Sequence, residues 1–335
     1  MTTRRKSLIA LGAGAFAPSI ALAPLASLAQ PGKVWRIGYL GPGSRPSAAR
    51  PDANIDAFMR GLRELGYTEG KNLSVESRFA EGDYARLPAL AEELAKTRAD
   101  VLVTYGTAAT RALSNATQTT PIVIAAAIDA VQMGFAISFA RPGKNMTGLS
   151  AMVIDLSQKH LDLLRAFLPT LSRVAVLLNP GNSGHAQVLS GVQLAAKAMR
   201  ITVLPVAAGN SAAIDAAFAK ARSDKAGAMI IAGDAWIASQ AVTVAAAANK
   251  HRLPTISTYR SHTVAGALMS YGQNIADFHR RAAGYVDKIF KGAKPGELPI
   301  EQPTTIDLTI NHKTAKALGL AITQELLLRE NEAIE

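Results

Sequence analysis

The sequence predicts an α/β protein with two lobes, each built on a doubly wound parallel sheet, joined by a hinge of several chain crossings. Short apolar β-like runs alternate with amphipathic helical stretches along nearly the whole chain, an order that favours right-handed parallel crossovers. The alternation restarts at residue 173, and the turns that follow matching strands are similar in the two halves. A length of 335 residues also favours two lobes over one core.

The first half supplies the elements of one lobe. Four apolar runs of strand length lie at 34–40, 72–79, 101–106 and 121–127. Helical periodicity separates them, at 53–65, 87–97 and from 108 onward; in the first of these Ile55, Phe58 and Leu62 fall on one face. The two later strands are bounded by turn residues, so residues 30–150 are expected to form the first lobe.

The second half repeats this order. Strands are predicted at 173–179, 201–207, 228–234 and 254–259, with helices at 184–199, 212–222 and 237–250. We therefore expect 151–272 to form the second lobe. A further strand at 266–272, a helix at 275–291 and a strand at 304–310 follow.

The segment after residue 272 is too long to be only a terminal segment packed along the second lobe. We expect 273–311 to return to the first lobe and 312–335 to form a helical tail, whose lobe the sequence leaves open. Chain crossings are then expected near 149–155, near 269–275 and at the last strand. Several crossings predict a hinge that closes on a ligand.

The N-terminus has the features of a signal peptide. Basic residues at 4–6 precede an apolar stretch at 8–25, and Ser27-Leu28-Ala29 supplies the small residues that a signal peptidase requires. We expect 1–29 to be the signal and cleavage to follow Ala29, which predicts a periplasmic protein. The segment "TTRRKSL" partly matches a twin-arginine signal, so the Sec and twin-arginine routes both stay open.

Composition excludes several classes of site. The chain has no cysteine, so disulfides, thiolate metal sites and a lipidated N-terminal cysteine are excluded. The formal net charge is +11, but the basic residues are scattered without a basic run, which argues against nucleic acid as a partner. The histidines are widely separated. We expect no metal, no cofactor and a monomer.

Three segments resemble a known family: 125–150, 177–184 and 266–320. Their most specific pieces are "RPGKNMTGLS", "NPGNS" and "ALGL". They resemble the ABC transporter substrate-binding proteins of the tryptophan/tyrosine uptake type. The resemblance implies the type I periplasmic-binding fold, a small solute bound between the lobes, and a permease with its ATPase in the inner membrane as partner.

The chain departs from that family in two places. It has Ile128-Asp129-Ala130-Val131 where the family usually has Thr-Asp-Pro-Val, and the segment 258–262 also differs. The identity of the ligand therefore stays open. An amino acid or an aromatic carboxylate is expected, although sugars also stack on aromatic side chains.

Ligands of open α/β sheets bind beyond the carboxyl ends of the strands. The candidate ligand-binding residues are Ser44, Gly106, Thr107, Ala108, Asp129, Asn179, Ser183, Asp234, Trp236, Tyr259 and Tyr271. We expect the amides of Gly106–Ala108 and the Thr107 hydroxyl to bind a carboxylate, and Asp234 or Asp129 to bind an amine or hydroxyl. Structural roles in place of ligand binding stay open for three of these residues: a helix cap for Thr107 or Asp234, and packing inside a lobe for Trp236.

Two other functions are compatible with an exported α/β protein. The segment "GNSGH" (181–185) resembles the turn that carries a nucleophilic serine, but His185 replaces the second glycine that this turn requires. No phosphate-binding loop or HExxH motif is present, so a secreted α/β enzyme is not expected. A protein that senses a ligand for a membrane receptor stays open, because sequence alone does not separate uptake from sensing.

Overall fold

A computed structural model describes residues 33–48, 51–153, 156–302 and 304–335. The predicted signal peptide, 1–29, lies outside the described residues. In the described part of the chain no helix is both long enough and apolar enough to cross a membrane.

The first lobe is built on a five-stranded parallel sheet of order β2-β1-β3-β4-β5. Its strands are β1 (Trp35–Gly41), β2 (Leu73–Phe79), β3 (Val101–Tyr105), β4 (Ile122–Ile128) and β5 (Met146–Ala151). Side chains alternate between the two faces, so Tyr39 packs in one apolar cluster and Leu40 in another. Both faces are buried, as in a doubly wound sheet.

Helices cover both faces of this sheet. They are α1 (Ala53–Glu64), α2 (Leu87–Ala95), α3 (Thr107–Ala116) and, from much later in the chain, α10 (Ile275–Phe290). Helices α1 and α10 pack against each other, with Phe58 and Phe278 fully buried in one cluster. Helices α2 and α3 pack on the opposite face through Leu90, Leu94 and Leu113.

The second lobe is built on a seven-stranded sheet of order β12-β11-β10-β9-β8-β6-β7. Its strands are β6 (Arg173–Leu178), β7 (Thr202–Ala207), β8 (Ala228–Ile231), β9 (Thr255–Ser257), β10 (Met269–Gly272), β11 (Asp307–Asn311) and β12 (Glu332–Ile334). All neighbours are parallel except β10 and β11, which are antiparallel.

The second-lobe helices are α4 (Ser157–Phe167), α5 (His185–Ala198), α6 (Ser211–Ser223), α7 (Ala235–Ser239), α8 (Ala241–Lys250), α9 (Arg260–Val264), α11 (His312–Leu318) and α12 (Gln324–Arg329). The helix predicted at 237–250 is therefore two helices. They meet at Gln240, whose ψ of 19° ends α7 before α8 begins.

The return of the chain to the first lobe differs from the expectation for 273–311. Helix α10 does pack on the first-lobe sheet, but β11 lies in the second sheet, paired with β10. The edge of β10 presents backbone groups that need partners, and β11 supplies them. Strand β12 pairs with β11, which places the end of the tail in the second lobe as well.

The chain therefore passes between the lobes three times: between β5 and α4, between β10 and α10, and between α10 and β11. Gln273 ties two of these crossings together, because its side-chain oxygen accepts the Met152 amide at 2.9 Å. Three adjacent crossings place the hinge beside the carboxyl ends of both sheets.

Candidate functional site

Two neighbouring cavities lie between the lobes where the strands of both sheets end. The smaller one, the inner pocket, is narrow and is lined by Gly106, Thr107 and Ile128 of the first lobe and by Asn182 and Asp234 of the second. The larger one, the outer cleft, has an empty volume of about 2150 Å³. The cavities share Ala235, Thr258, Tyr259, Gln273 and Ile275. The two cavities therefore adjoin each other.

The start of α3 forms the first-lobe wall of the inner pocket. Gly106 is the residue before the helix, at φ 84°, a conformation that glycine adopts without strain. No side chain caps this helix. The first helical bond is donated by the Thr110 amide to Gly106, so the amides of Thr107 and Ala108 stay available to an acceptor.

The Thr107 side chain has one hydrogen-bonding role already filled. Its hydroxyl oxygen accepts the Ile128 amide at 3.1 Å, which ties α3 to the end of β4. The hydroxyl hydrogen remains free to donate. Thr107 is therefore the first residue of α3 and not its cap, and the helix terminus presents a neutral but positively polarised surface to the pocket.

The second-lobe wall is built around the Asp234 carboxylate, which is almost fully buried. One of its oxygens caps α7 by accepting the Ile237 amide at 2.9 Å and also accepts the Asn179 side-chain amide at 3.2 Å. The other oxygen accepts the Asn182 side-chain amide at 2.8 Å and the Tyr84 hydroxyl at 3.0 Å. Four protein donors thus saturate this carboxylate.

His185 supports that arrangement from behind. Its Nδ1 accepts the Asn179 amide at 2.8 Å, so the proton of the neutral ring sits on Nε2, which faces the Gly233 carbonyl at 3.3 Å. Burial lowers the pKa of His185, and the nearby Asp234 charge only partly opposes this. The neutral ring holds the Asn179 turn in place.

Two tyrosines meet at the boundary between the cavities. Tyr105 ends β3 in the first lobe, Tyr259 precedes α9 in the second, and their hydroxyls lie close enough to influence each other's pKa. Burial raises the pKa of both hydroxyls, so both stay neutral. This pair joins the lobes directly.

The outer cleft has apolar walls and three charged lining residues, the carboxylates Asp52 and Asp307 and the guanidinium of Arg260. Tyr39, Phe79 and Tyr105 line its first-lobe side, and exposed Val242 and Val264 lie on its second-lobe side. Asp52, at the start of α1, also lines the cleft. Its Oδ1 accepts the amides of Asn54 and Ile55.

Among the described residues no hydrogen bond or ion pair is found at the other Asp52 oxygen. Asp52 is half-buried. Its negative charge contributes to the raised pKa of Tyr39, although burial contributes more. A carboxylate in a partly desolvated cleft attracts a cationic group.

Comparison with known proteins identifies the family. The family described as ABC transporter substrate binding protein matches residues 47–334. The chain belongs to this family. Substrate-binding proteins are extracellular or periplasmic.

Individual relatives agree with that assignment. A tyrosine-binding protein of Clostridioides difficile is 24% identical over 264 residues, covering 78% of this chain and 75% of the relative. A conserved domain protein of Vibrio cholerae has a crystal structure that is 29% identical, with a TM-score of 0.82, covering 90% of this chain and 100% of that one.

A third relative is a Streptococcus pneumoniae ABC domain solved in complex with L-Trp. It is 23% identical, has a TM-score of 0.80, and covers 90% of this chain and 99% of that one. These similarities confirm the predicted type I periplasmic-binding fold and the role of a solute-binding receptor.

The substrate-binding protein brings part of the predicted site together. Gly106, Thr107 and Asp234 line the inner pocket, Ser44 lines the outer cleft, and Tyr259 lines both. Asn179 lies behind the pocket, where it supports Asp234.

The other predicted residues lie away from the cavity walls. Ala108 packs against first-lobe side chains and Trp236 is buried in the second-lobe core. Ser183 is exposed to solvent. Asp129 accepts the amides of Val131 and Gln132, which stabilises the turn after β4.

Tyr271, in β10, is also outside the walls of both cavities. Its carbonyl is hydrogen-bonded to the buried His160 ring at 2.8 Å. The side chains on either side of it in the chain, Ser270 and Gly272, line the outer cleft instead, as alternation along a strand requires. A position at the end of a strand therefore does not by itself show which of two neighbouring side chains faces the cleft, because that depends on the register of the strand.

Sequence reasoning missed Asp52, Tyr84, Asn182 and Gln273. A signal existed for the first, since Asp52 begins the helix that follows β1, at the same sheet edge as the predicted residues. Asn182 adjoins the predicted Ser183, and only the local turn decides which of the two points inward. Tyr84 and Gln273 have no such signal, because their roles depend on contacts with distant segments.

Proposed function

We propose that this protein captures a free amino acid with a large apolar or aromatic side chain and delivers it to an ABC permease in the inner membrane. The observation that carries the proposal is the uncapped start of α3, which faces the buried inner pocket between the lobes. In this proposal the carboxylate, the ammonium group and the side chain each have a separate partner.

The carboxylate binds at the start of α3. The amide of Thr107, which lines the pocket, has no acceptor in the helix, and the Thr107 hydroxyl retains a proton to donate. A helix N-terminus stabilises an anion through these donors and through its dipole. The remaining pocket wall is largely apolar, which strengthens the interaction by excluding water.

The ammonium group binds Asp52. Our sequence interpretation offered Asp234 or Asp129 for this role, but four protein donors saturate Asp234 and Asp129 stabilises a turn outside the cavities. Asp52 has an oxygen available in the cleft. A cation there compensates a carboxylate that otherwise loses water when a solute fills the cleft.

The side chain lies in the outer cleft between its apolar walls. Tyr39, Phe79 and Tyr105 supply aromatic surface from one lobe, and Val242 and Val264 supply aliphatic surface from the other. Burial of an aromatic ring contributes the largest apolar term available to a small solute. The relatives described as binding tyrosine and L-Trp carry aromatic amino acids of this kind.

The setting of the protein follows from the same proposal. We assign it to the periplasm, with export directed by the signal at 1–29 through either the Sec or the twin-arginine route, and we expect a monomer. Binding and release of the solute are its whole activity, so we assign no catalytic residue. A permease then receives the solute when the lobes open.

A thermal-shift screen against amino acids, aromatic acids, sugars and nucleosides tests the substrate class. A solute at one hundred times its Kd stabilises the folded state by about 2.7 kcal/mol. Aromatic amino acids are expected to raise the melting temperature. A response to sugars or nucleosides without any response to amino acids would overturn the proposal.

The variant Thr107→Val tests the carboxylate site. It removes the hydroxyl donor, and loss of a hydrogen bond to a charged group costs about 1.5–3 kcal/mol, so affinity for the responding amino acid is expected to fall about tenfold or more. Calorimetry with the amine formed by decarboxylation of that amino acid tests the same contact, because this ligand lacks the carboxylate. Equal affinity of wild-type and variant protein for the amino acid would place the carboxylate elsewhere.

The variant Asp52→Asn tests the ammonium site. We expect it to weaken binding of the amino acid about tenfold, because a charge-assisted hydrogen bond is replaced by a weaker one. Affinity for the deaminated acid, which lacks the ammonium group, should not fall. Asp56→Asn is the matched control, since Asp56 is exposed one turn along the same helix. If both variants bind alike, Asp52 does not contact the ammonium group.

A further inference from the structure

We propose that a loop of the first lobe, residues 81–84, is a latch that holds the two lobes together through protein contacts alone and thereby sets the affinity for every solute alike. This inference rests on the proposed solute-binding role. It adds a closing contribution that does not pass through the solute.

The Tyr84 side chain carries the polar part of the latch. Its hydroxyl donates to Asp234 at 3.0 Å and accepts the Trp236 amide at 3.1 Å. Both partners belong to the second lobe, at the start of α7. The Tyr84 ring packs against apolar clusters of both lobes, and burial together with the Asp234 charge raises the pKa of its hydroxyl. The hydroxyl therefore stays neutral and can donate.

Gly82 carries the steric part of the latch. It lies so close to the Trp236 ring that an added Cβ would be 2.3 Å from the nearest ring carbon. Its φ of +83° is one that glycine adopts without strain. Only a residue without a side chain allows the loop to rest on the indole ring of the other lobe.

The loop is rigidly attached to its own lobe. The Glu81 and Gly82 amides donate to the carbonyls of Gly43 and Pro42, at 3.1 and 3.0 Å, which ties the loop to the turn after β1. Opening of the lobes must therefore break the contacts with Asp234 and Trp236, because the loop does not follow the second lobe. The apparent affinity of a solute that binds the closed form falls with the fraction of protein that is closed.

The lobe separation can be measured without any solute. The chain contains no cysteine, so spin labels can be placed at D56C and V242C, two exposed positions beside opposite walls of the outer cleft. Tyr84→Phe keeps the ring but removes the hydroxyl. In the ligand-free protein we expect its distance distribution to shift toward longer distances.

Tyr67→Phe is the matched control. The Tyr67 hydroxyl donates to Asp287 at 2.9 Å, a bond of the same kind that lies within the first lobe. This variant should leave the label distance and the solute affinity unchanged. A Tyr84→Phe variant with the wild-type distance distribution would overturn the latch.

The glycine gives an independent test. Gly82→Ala places a methyl group against Trp236 and strains the backbone, whereas Gly66→Ala imposes similar strain at φ +89° with no atom within 4 Å of the new carbon. We expect Gly82→Ala, and not Gly66→Ala, to open the ligand-free protein. If the two variants give the same distances, the loop does not hold the lobes.

Affinity measurements separate this inference from the proposed function. Loss of a hydrogen bond to a charged group corresponds to about a tenfold change or more, so Tyr84→Phe should weaken all responding solutes by the same factor of about ten. A loss confined to one solute would assign Tyr84 to solute recognition and overturn the latch. Tyr84→Phe could lengthen the label distance as expected while no amino acid raises the melting temperature of the wild-type protein. That result would refute the proposed substrate and leave the latch intact.

Discussion

Acidification from about pH 7.5 to about pH 5 is expected to reduce the free energy of unfolding by about 6 kcal/mol. The cause is a set of buried histidines. His160, His262 and His279 are almost fully buried, and burial lowers the pKa of each from 6.5 to about 4. His185 shifts in the same direction.

The direction of the effect follows from proton binding. Below about pH 6.5 the unfolded chain binds protons at these histidines while the folded protein does not, so stability is full above that pH and falls as the pH approaches 4. Each histidine contributes about 2 kcal/mol of the loss at about pH 5. The ion pair of Glu332 with Arg260 lowers the Glu332 pKa below 4.5, so it contributes only under more acidic conditions.

His279→Leu isolates one of these contributions. The His279 Nε2 is buried without a hydrogen-bond partner, and Nδ1 bonds the Ile275 carbonyl of the same helix, so leucine removes the titrating group at the cost of one bond to a helix carbonyl. Urea denaturation at the two pH values should show a stability difference that is about 2 kcal/mol smaller than that of the wild type. Phe278→Leu, a change at a buried residue next to it that does not titrate, should lower stability equally at both pH values. If the unfolding free energy of His279→Leu changes between the two pH values as much as that of the wild type, this histidine does not contribute to the loss of stability in acid.

The alternation of apolar runs and amphipathic helices predicted the two sheets because that pattern depends only on residues that are close together in the sequence. The strand at 304–310 was identified as a strand, but its sheet was not, since pairing of β11 with β10 depends on which edge is open in space. The expected return to the first lobe was made for 273–311 as a whole, and only its helix α10 packs there, because the apolar face of α10 meets α1 and the first-lobe sheet.

The site shows the same division between local and distant information. The turn at Gly106 and Thr107 was predicted because a strand, a glycine and a helix are adjacent in sequence. Asp234 was selected for its position, but its partners come from two other loops, so the sequence did not reveal that protein donors occupy it. The same limit hides the latch, since Tyr84 meets Asp234 from a distance of 150 residues along the chain.

Asp234→Ala is expected to lower the free energy of unfolding by about 3 kcal/mol or more. The variant removes the cap of α7, because the Ile237 amide loses its acceptor. It also leaves the buried side-chain amides of Asn179 and Asn182 without the acceptor that orients them. A lost cap costs about 1 kcal/mol, and each buried polar group left unpaired adds about 1–3 kcal/mol.

Asp129→Ala provides the comparison, because both aspartates were candidates for the amine site and both accept backbone amides. Asp129 is half-buried and holds only its own turn, so its loss is expected to cost about 1 kcal/mol. Denaturant titration measures both stabilities, and calorimetry at a temperature where both variants are folded measures their affinity for the responding amino acid. Because Asp234 also anchors the Tyr84 latch, its variant should lose stability and affinity together. An Asp234→Ala protein that is as stable as Asp129→Ala but binds at least tenfold more weakly than Tyr84→Phe would show that Asp234 contacts the solute directly, and the amine site would then move from Asp52 to the second lobe.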